Sequence, residues 1–228
     1  MKFIYKAALG IIYVFVCTAC ATYKLEVENV SLYNQGVQIV DSIKPKSKVR
    51  LEVGQDILGG LNSIPLALFV SALNFSKEAV IFDRENVTLW QEDKKLKPLS
   101  DGELKNKTFD YGYIVESYHL SIPPLPLPPS PNPPVIMPFI YRGYMGGFYL
   151  YDEVMLSARD RLYAQIKLDA QRIRRAAVLS NTLAKNTLQN EPRGGFVIYA
   201  PQALRDGRLS LHVMVGDEEH IFTLWLRK

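Results

Sequence analysis

The sequence predicts a mainly β protein, an antiparallel β-sandwich interrupted by an insertion that contains a proline- and aromatic-rich segment and one or two amphipathic helices. Short runs rich in β-branched and aromatic residues recur towards both ends of the chain, at spacings of about 8 to 12 residues, with turn-forming residues between them. A proline-rich run lies between these two regions and cannot join a sheet, because proline lacks the backbone donor. A later run repeats apolar residues at the spacings of an amphipathic helix.

The composition of the 228 residues is that of an ordinary globular protein, with 48% hydrophobic and 22% charged residues. This composition excludes disordered and collagen-like chains. The formal net charge is +4, and two of the positive charges, Lys2 and Lys6, lie in the N-terminal segment described next. The overall charge therefore gives no argument for a nucleic-acid partner.

The first 19 residues have the pattern of a secretory signal peptide. Lys2 and Lys6 precede an uncharged run over residues 7–19, which ends in small residues. A transmembrane helix needs about 20 apolar residues, so this run is short for a membrane span. We therefore expect residues 1–19 to be removed.

The end of this run, Cys17-Thr18-Ala19-Cys20, resembles the lipobox of bacterial lipoproteins. The small residues Thr18 and Ala19 match the family pattern, whereas Cys17 stands where the family usually has leucine or another aliphatic residue. The resemblance implies that Cys20 is the lipidation site, is joined to diacylglycerol and becomes the new N-terminus. It also implies a bacterial cell envelope protein whose partner is the lipid bilayer. Ala21, in place of aspartate, favours the outer membrane over the inner membrane.

A different processing event is compatible with the same residues. Ala19-Cys20-Ala21 is also an ordinary A-x-A cleavage site, which would release a soluble protein that begins at Thr22. In either case Cys17 leaves with the signal, and the chain from residue 21 onward has no cysteine. Disulfides, cysteine-based zinc sites and a thiol nucleophile are then excluded from the body.

The mature chain divides into a tether with short strands over residues 20–46 and a sandwich domain over residues 47–228. Val49, Leu51 and Val53 alternate with charged residues, as in a half-buried strand. Residues 65–75 are apolar on both faces, which fits a buried helix or a central strand, and the neighbouring β-rich runs favour the strand.

The C-terminal hairpin has the clearest strand pattern in the chain. Apolar residues occupy every second position over residues 209–215, a Gly216-Asp217-Glu218 turn follows, and Phe222, Leu224 and Leu226 form the inward set of the last strand. Because both ends of the chain are β-rich, we expect the first and last strands to complete one common core.

The β-rich part resembles the immunoglobulin-like β-sandwich modules of bacterial surface lipoproteins. The features that match are the Asn74-Phe75-Ser76 bend after an apolar strand and the strand 195–199 that precedes the strand beginning at His220. The resemblance implies a binding or structural module and no particular reaction. No Cys-Trp-Cys set is present, which excludes antibody-type domains.

The insertion spans residues 114–192. Its proline-rich part, residues 122–138, holds nine of the 14 prolines and should form an extended polyproline II arm, either as a spacer or ligand strip or as a stiff loop packed on its own domain. Residues 139–151 then combine glycines with aromatic side chains, which suit either a hairpin in the core or a contact surface for a partner or a lipid headgroup layer. The predicted partner-contact residues are Phe139, Tyr141, Tyr144, Phe148 and Tyr149.

Residues 152–190 are predicted to be helical. Ile166, Ala170, Ile173 and Ala177 belong to one apolar stripe at spacings of three and four. Such a stripe could bind a groove, pack on a copy of itself or lie along the sandwich, which is the usual source of helix stability.

The sequence contains no recognisable catalytic, metal or cofactor motif. His119, His212 and His220 lack metal-ligand spacing, and neither a nucleophile elbow nor a phosphate-binding loop is present. We therefore predict no catalytic residues, no metal and no cofactor. The expected function is a non-enzymatic interaction or structural module on an envelope lipoprotein, with a possible envelope protein partner and no nucleic acid. The alternatives are a periplasmic small-ligand or glycan binder and a hydrolase that combines an acid with His119 or His220.

Overall fold

The computed structural model describes residues 21–124 and 153–228, with side chains described from residue 161 onward in the second range. The predicted signal at residues 1–19, Cys20, most of the proline-rich run and the aromatic segment 139–151 lie outside the described residues. The chain divides into two units, Met1–Ser121 with Arg175–Lys228, and Ile122–Arg174.

The described part of the first unit is built from antiparallel strands. They are β1 (Thr22–Val27), β2 (Leu32–Asn34), β3 (Val37–Ile43), β4 (Ser47–Val53), β5 (Ile57–Gly59), β6 (Leu66–Asn74), β7 (Val80–Phe82), β8 (Val87–Gln91), β9 (Lys94–Leu96), β10 (Asn186–Leu188), β11 (Arg193–Tyr199), β12 (Gly207–Val215) and β13 (Glu218–Arg227).

Two large sheets organise these strands. One has the order β5-β1-β13-β12-β8-β9, the other has the order β11-β6-β4-β3-β2, and β7 pairs with β10 in a small third sheet. The first strand lies beside the last, with Lys24 opposite Arg227. The early and late β regions therefore share one sandwich.

The core lies between the two large sheets, and the longer strands such as β4, β12 and β13 contribute every second residue to it. Val49, Leu51 and Val53 of β4 are fully buried, and so are Leu224 and Leu226 of β13. These residues belong to one continuous apolar cluster that contains side chains of both sheets. The two-residue period of the strands is what directs them to the same side.

Three α-helices accompany the strands in the described part of the chain, besides two single 3₁₀ turns at Arg84–Asn86 and Pro201–Ala203. The α-helices are α1 (Asp101–Asn106), α2 (Tyr111–Ser117) and α3 (Glu153–Ser180), and α3 begins in the second unit and ends in the first. The chain after α2 packs on the outer face of the five-stranded sheet, where the Tyr118 ring lies 4.9 Å from the Phe196 ring. The α2 residue Ile114 is fully buried.

The predicted fold class is confirmed, because the protein is mainly β with antiparallel sheets and a helical insertion. The finer resemblance to immunoglobulin-like modules stays a prediction. The short helices α1 and α2 were not predicted.

Two boundaries differ from the expected ones. Residues 20–46 were expected to form a tether with short strands, but β1 pairs with β13 and β3 pairs with β4, so this region belongs to both sheets. The helix expected over residues 152–190 ends at Ser180, because the Asn181 and Thr182 side chains donate to carbonyls of its last turn. The chain that follows turns into β10, which pairs with β7.

The structure contains no membrane-spanning helix among the described residues, since none of these helices combines sufficient length with sufficient apolar character.

Candidate functional site

The sequence-predicted site residues fall outside the described part of the chain. These are the lipidation residue Cys20 and the partner-contact residues Phe139, Tyr141, Tyr144, Phe148 and Tyr149. The described residues show what adjoins Cys20, which polar groups the sheets bring together, and where a ligand could bind.

The residue after Cys20 is already held by the fold. The Gly60 N–H donates to the Ala21 carbonyl at 3.0 Å, and Thr22 lies opposite Gly59 in the pairing of β1 with β5. Gly59 has a φ of +81°, and a Cβ there would lie 2.4 Å from the Ala21 oxygen. A glycine is therefore required for this close approach.

Leu61 projects from the turn whose Gly60 N–H binds the Ala21 carbonyl. Its side chain is 86% exposed, whereas Leu58 and Ile64 on either side are buried. The turn is closed by backbone hydrogen bonds in both directions between Gly59 and Ile64, at 2.8 and 3.0 Å. The backbone position of the exposed leucine is therefore fixed. We name this edge of the sandwich, which contains Ala21, the turn 59–64 and the end of β13, the N-terminal end.

A buried polar cluster lies at the opposite end, where the turns before β4 and β13 meet. We name this edge the distal end. His220 is fully buried, with its Nε2 2.9 Å from the Ser47 Oγ and its Nδ1 2.9 Å from the Ser42 Oγ. The Ser47 hydroxyl also donates to Glu218 at 2.5 Å. The cluster connects β3 and β4 of one sheet to β13 of the other.

The donor and acceptor of each hydrogen bond in this distal cluster follow from Ser47, which has a single hydroxyl proton. Because that proton goes to Glu218, the Ser47 oxygen accepts from the Nε2–H of His220, and Nδ1 accepts from Ser42. Burial and the charge of Lys44 lower the pKa of His220, which favours this neutral ring. Burial alone would raise the pKa of Glu218, but hydrogen bonds from the Ser47 hydroxyl and the Lys46 N–H hold it below its usual value.

A serine nucleophile must donate its hydroxyl proton to its histidine, whereas Ser47 donates to Glu218 and accepts from His220. The distal cluster contains the acid and histidine of the hydrolase interpretation, but Ser47 and His220 are both buried. His119, the other histidine named in that interpretation, contacts the Gln35 carbonyl at 2.8 Å instead. The geometry of the distal cluster suits a connection between the sheets better than catalysis.

A second serine, histidine and glutamate set lies on the outer face of the six-stranded sheet. The Ser210 Oγ is 2.9 Å from the His212 Nε2, and the His212 Nδ1 is 2.7 Å from Glu219. Here an ionised Glu219 accepts from Nδ1–H, which leaves Nε2 to accept from Ser210, as a nucleophile requires. Ser210 and His212 share a face because they are two residues apart on β12, whereas Glu219 comes from β13, a neighbour that the sequence alone did not identify.

The backbone around Ser210 offers no free donors of the kind with which many hydrolases bind an oxyanion. β12 is a central strand, with β13 on one side and β8 on the other. The backbone N–H groups of a central strand are used in the two ladders. Around Ser210 they are therefore not free to stabilise a developing negative charge.

A shallow groove of about 290 Å³ lies on the outer face of the five-stranded sheet, lined by Lys48, Arg50, Glu52, Ser71, Ala72, Leu73 and Pro192. Beside it, Arg50 donates twice to Asp41, at 2.7 and 3.0 Å, and Lys48 lies 2.8 Å from the same carboxylate. These contacts lower the pKa of Asp41 to about 2, with the hydrogen bond from Arg50 as the largest cause. Burial raises the pKa of Glu52, and the charge of Arg50 opposes this.

The described residues offer no obvious metal centre, since no three His, Cys, Asp or Glu side chains in that part of the chain converge on one point. No protein-family model matches the chain, and no curated protein and no solved structure is significantly similar to it. The resemblances to bacterial lipoproteins and to immunoglobulin-like modules therefore depend on the residues quoted for them.

Proposed function

We propose that this protein is a bacterial envelope lipoprotein, attached by lipid on Cys20, with the outer membrane favoured over the inner membrane. Its sandwich acts as a non-enzymatic interaction or structural module. The observation that supports the anchor is the hydrogen bond that the Gly60 N–H donates to the Ala21 carbonyl. Cleavage before Cys20 keeps this contact, whereas the rival cleavage before Thr22 would remove Ala21 and leave the Gly60 N–H without its acceptor.

The chemistry of the anchor suits stable attachment. Each buried lipid CH₂ contributes about 0.8 kcal/mol, and a single acyl chain gives only marginal binding. A diacylglycerol on Cys20 supplies two chains on one residue. Attachment then needs no membrane-spanning helix.

The two cysteines of the chain form a matched pair for testing the anchor. In cells fed radiolabelled palmitate, the wild-type protein and Cys17→Ser should incorporate label and sediment with membranes. Cys20→Ser should incorporate none and should keep residues 1–19. Label that persists in Cys20→Ser, or that is absent from the wild type, would contradict the anchor.

The interaction part of the proposal concerns the insertion. In the described part of the chain, every strand of both large sheets comes from residues 22–96 or 193–227. The sheets therefore do not depend on residues 122–151 for their pairing. In this proposal the aromatic residues of the segment 139–151 serve as the contact surface for an envelope protein.

The partner surface can be tested by deletion and cross-linking. A protein that lacks residues 122–151 should keep the cooperative unfolding of the sandwich. A photoreactive residue at Tyr144 should cross-link to a second envelope protein in cells, while the same group at Ile81, an exposed position of β7, should not. Loss of folding on deletion would instead show that the insertion belongs to the core.

A hydrolase is the second candidate, because of one observation, the arrangement of Ser210, His212 and Glu219. If this set were catalytic, purified protein should hydrolyse simple esters and Ser210→Ala should abolish that activity. Residual activity equal to that of the wild type would remove this candidate.

A small-ligand or glycan binder is the remaining alternative and would use the groove beside Arg50. At about 290 Å³ this groove is at the lower limit of typical ligand pockets. A glycan that raises the melting temperature of the wild type but not of Ser71→Trp, which fills the groove, would favour this alternative.

A further inference from the structure

We propose that the N-terminal end of the sandwich rests directly on the bilayer, with Leu61 inserted into the membrane interface beside the lipidated cysteine. This inference rests on the proposed lipidation of Cys20 and adds the surface that meets the lipid. The occupant of this surface is the same bilayer that holds the anchor.

The first step is that no linker separates residue 20 from the folded sandwich, because Ala21 is already hydrogen-bonded to it. Consecutive Cα atoms are about 3.8 Å apart, so residue 20 is one such step from Ala21. The Ala21 carbonyl is held at 3.0 Å by Gly60, and Leu61 is the next residue. Along this path Leu61 lies at most about 15 Å from the Cα of residue 20.

The second step is the depth at which the anchor lies. The acyl chains of a diacylglycerol enter the hydrocarbon, so its glycerol and the cysteine sulfur lie at the boundary between headgroups and chains. Interfacial elements bury their apolar groups about 5 to 10 Å into this layer. A leucine within about 15 Å of the Cα of residue 20 is therefore within reach of the interface.

The third step is the side chain itself. Leu61 is the most exposed large hydrophobic residue among those with described side chains, at 86%, and its neighbours Asn62 and Ser63 are polar. A single apolar side chain at the tip of a rigid turn can enter the interface while the polar residues remain among the headgroups. Lys228 at the same end can face anionic headgroups, whereas Arg227 is paired with Glu26 at 3.2 Å.

The distal end of the sandwich offers a control position for Leu61. β13 runs from Glu218 to Arg227, and strands rise about 3.3 Å per residue, so the two ends are roughly 30 Å apart. Ile43 lies at the distal end and is 68% exposed. It is comparable to Leu61 in size and exposure but should be far from the lipid.

The experiment uses the full chain with one engineered thiol at a time. Cys17 leaves with the signal and the Cys20 sulfur is blocked by lipid, so Leu61→Cys and Ile43→Cys each have one reactive thiol. Both positions are exposed, so folding should be unaffected. Each lipidated variant is labelled with an environment-sensitive fluorophore and reconstituted in phosphatidylethanolamine–phosphatidylglycerol vesicles, with and without lipids that carry a quencher near the headgroup.

The expected result is a blue-shifted emission at Leu61→Cys, with at least twofold stronger quenching by the labelled lipids than at Ile43→Cys. Equal quenching at both positions in protein that is acylated and vesicle-bound would overturn the inference and leave the anchor intact. Protein whose Cys20 thiol also reacts with the fluorophore, and which does not bind vesicles, would overturn the lipidation itself.

Discussion

The ion cluster around Asp41 gives the most quantitative prediction. Asp41 of β3 lies opposite Arg50 of β4 and accepts two hydrogen bonds from its guanidinium, with Lys48 as a third contact. The pKa of Asp41 falls from 3.8 to about 2. At about 1.4 kcal/mol per pKa unit, the ionised carboxylate stabilises the folded state by about 2 kcal/mol at neutral pH. Asp41→Asn should therefore lower the free energy of unfolding by about 2 kcal/mol at pH 7.

The pH dependence of this loss tests its electrostatic origin. Because the folded-state pKa is lower than the unfolded value, the contribution is complete above the unfolded pKa and is lost as the pH falls through about 2. The difference between wild type and Asp41→Asn, measured by urea unfolding, should shrink to about half at pH 3. Asp217→Asn is the control, because the pair of Asp217 with Lys46 is largely exposed and should contribute little. A loss below about 0.5 kcal/mol at pH 7, or one that is equal at pH 3, would refute this reasoning.

Three further predictions concern stability. Gly194→Ala should lower the free energy of unfolding in urea by at least about 2 kcal/mol, because its Cβ would lie 2.6 Å from the Ser71 Cβ. The control Gly102→Ala should not lower it, because a Cβ at residue 102 meets nothing within 4 Å. Equal effects of the two substitutions would contradict the packing. The free energy of unfolding should fall as the pH drops below about 6.5, and this slope should weaken in His220→Gln, since the lowered pKa of His220 lets the unfolded state take up the proton first. An unchanged slope in the variant would assign the titration to another group. Tyr118→Phe should cost about 1 kcal/mol, because its hydroxyl donates to the Ala67 carbonyl at 2.6 Å, and thermal melts that match the wild type would show that this bond is not stabilising.

The strands with a strict two-residue period were predictable from the sequence. β12 and β13 place apolar residues at every second position, and the structure buries that set, including Leu224 and Leu226. Tyr23, Leu25 and Val27 alternate with charged residues in the sequence, which is also the pattern of a strand. It could not show that this strand pairs with the last one, because that pairing joins residues some two hundred positions apart.

The two short helices show what local patterns can and cannot indicate. Ser100 and Glu103 form a capping box at the start of α1, which is a signal in the sequence. Helices of six and seven residues are too short for an apolar stripe to be recognised, and they are stabilised by tertiary contacts. The Tyr111 hydroxyl, for example, donates to the Leu104 carbonyl at 2.6 Å.

The polar clusters were harder to predict than the strands. His220 is in phase with Phe222, Leu224 and Leu226, which are the inward set, but a buried histidine needs hydrogen-bond partners that the sequence does not identify. The structure buries it because Ser42 and Ser47 of the other sheet supply partners for both ring nitrogens. Such partners come from distant parts of the chain, so spacing along the sequence does not reveal them.

The central claim is that lipid on Cys20 joins this sandwich to a membrane. The most direct test is the intact mass of the protein purified from bacterial membranes, together with the mass of its N-terminal peptide. The account predicts a chain that begins at Cys20 and carries a diacylglyceryl group. An unmodified chain that begins at Thr22, recovered in the soluble fraction, would contradict it.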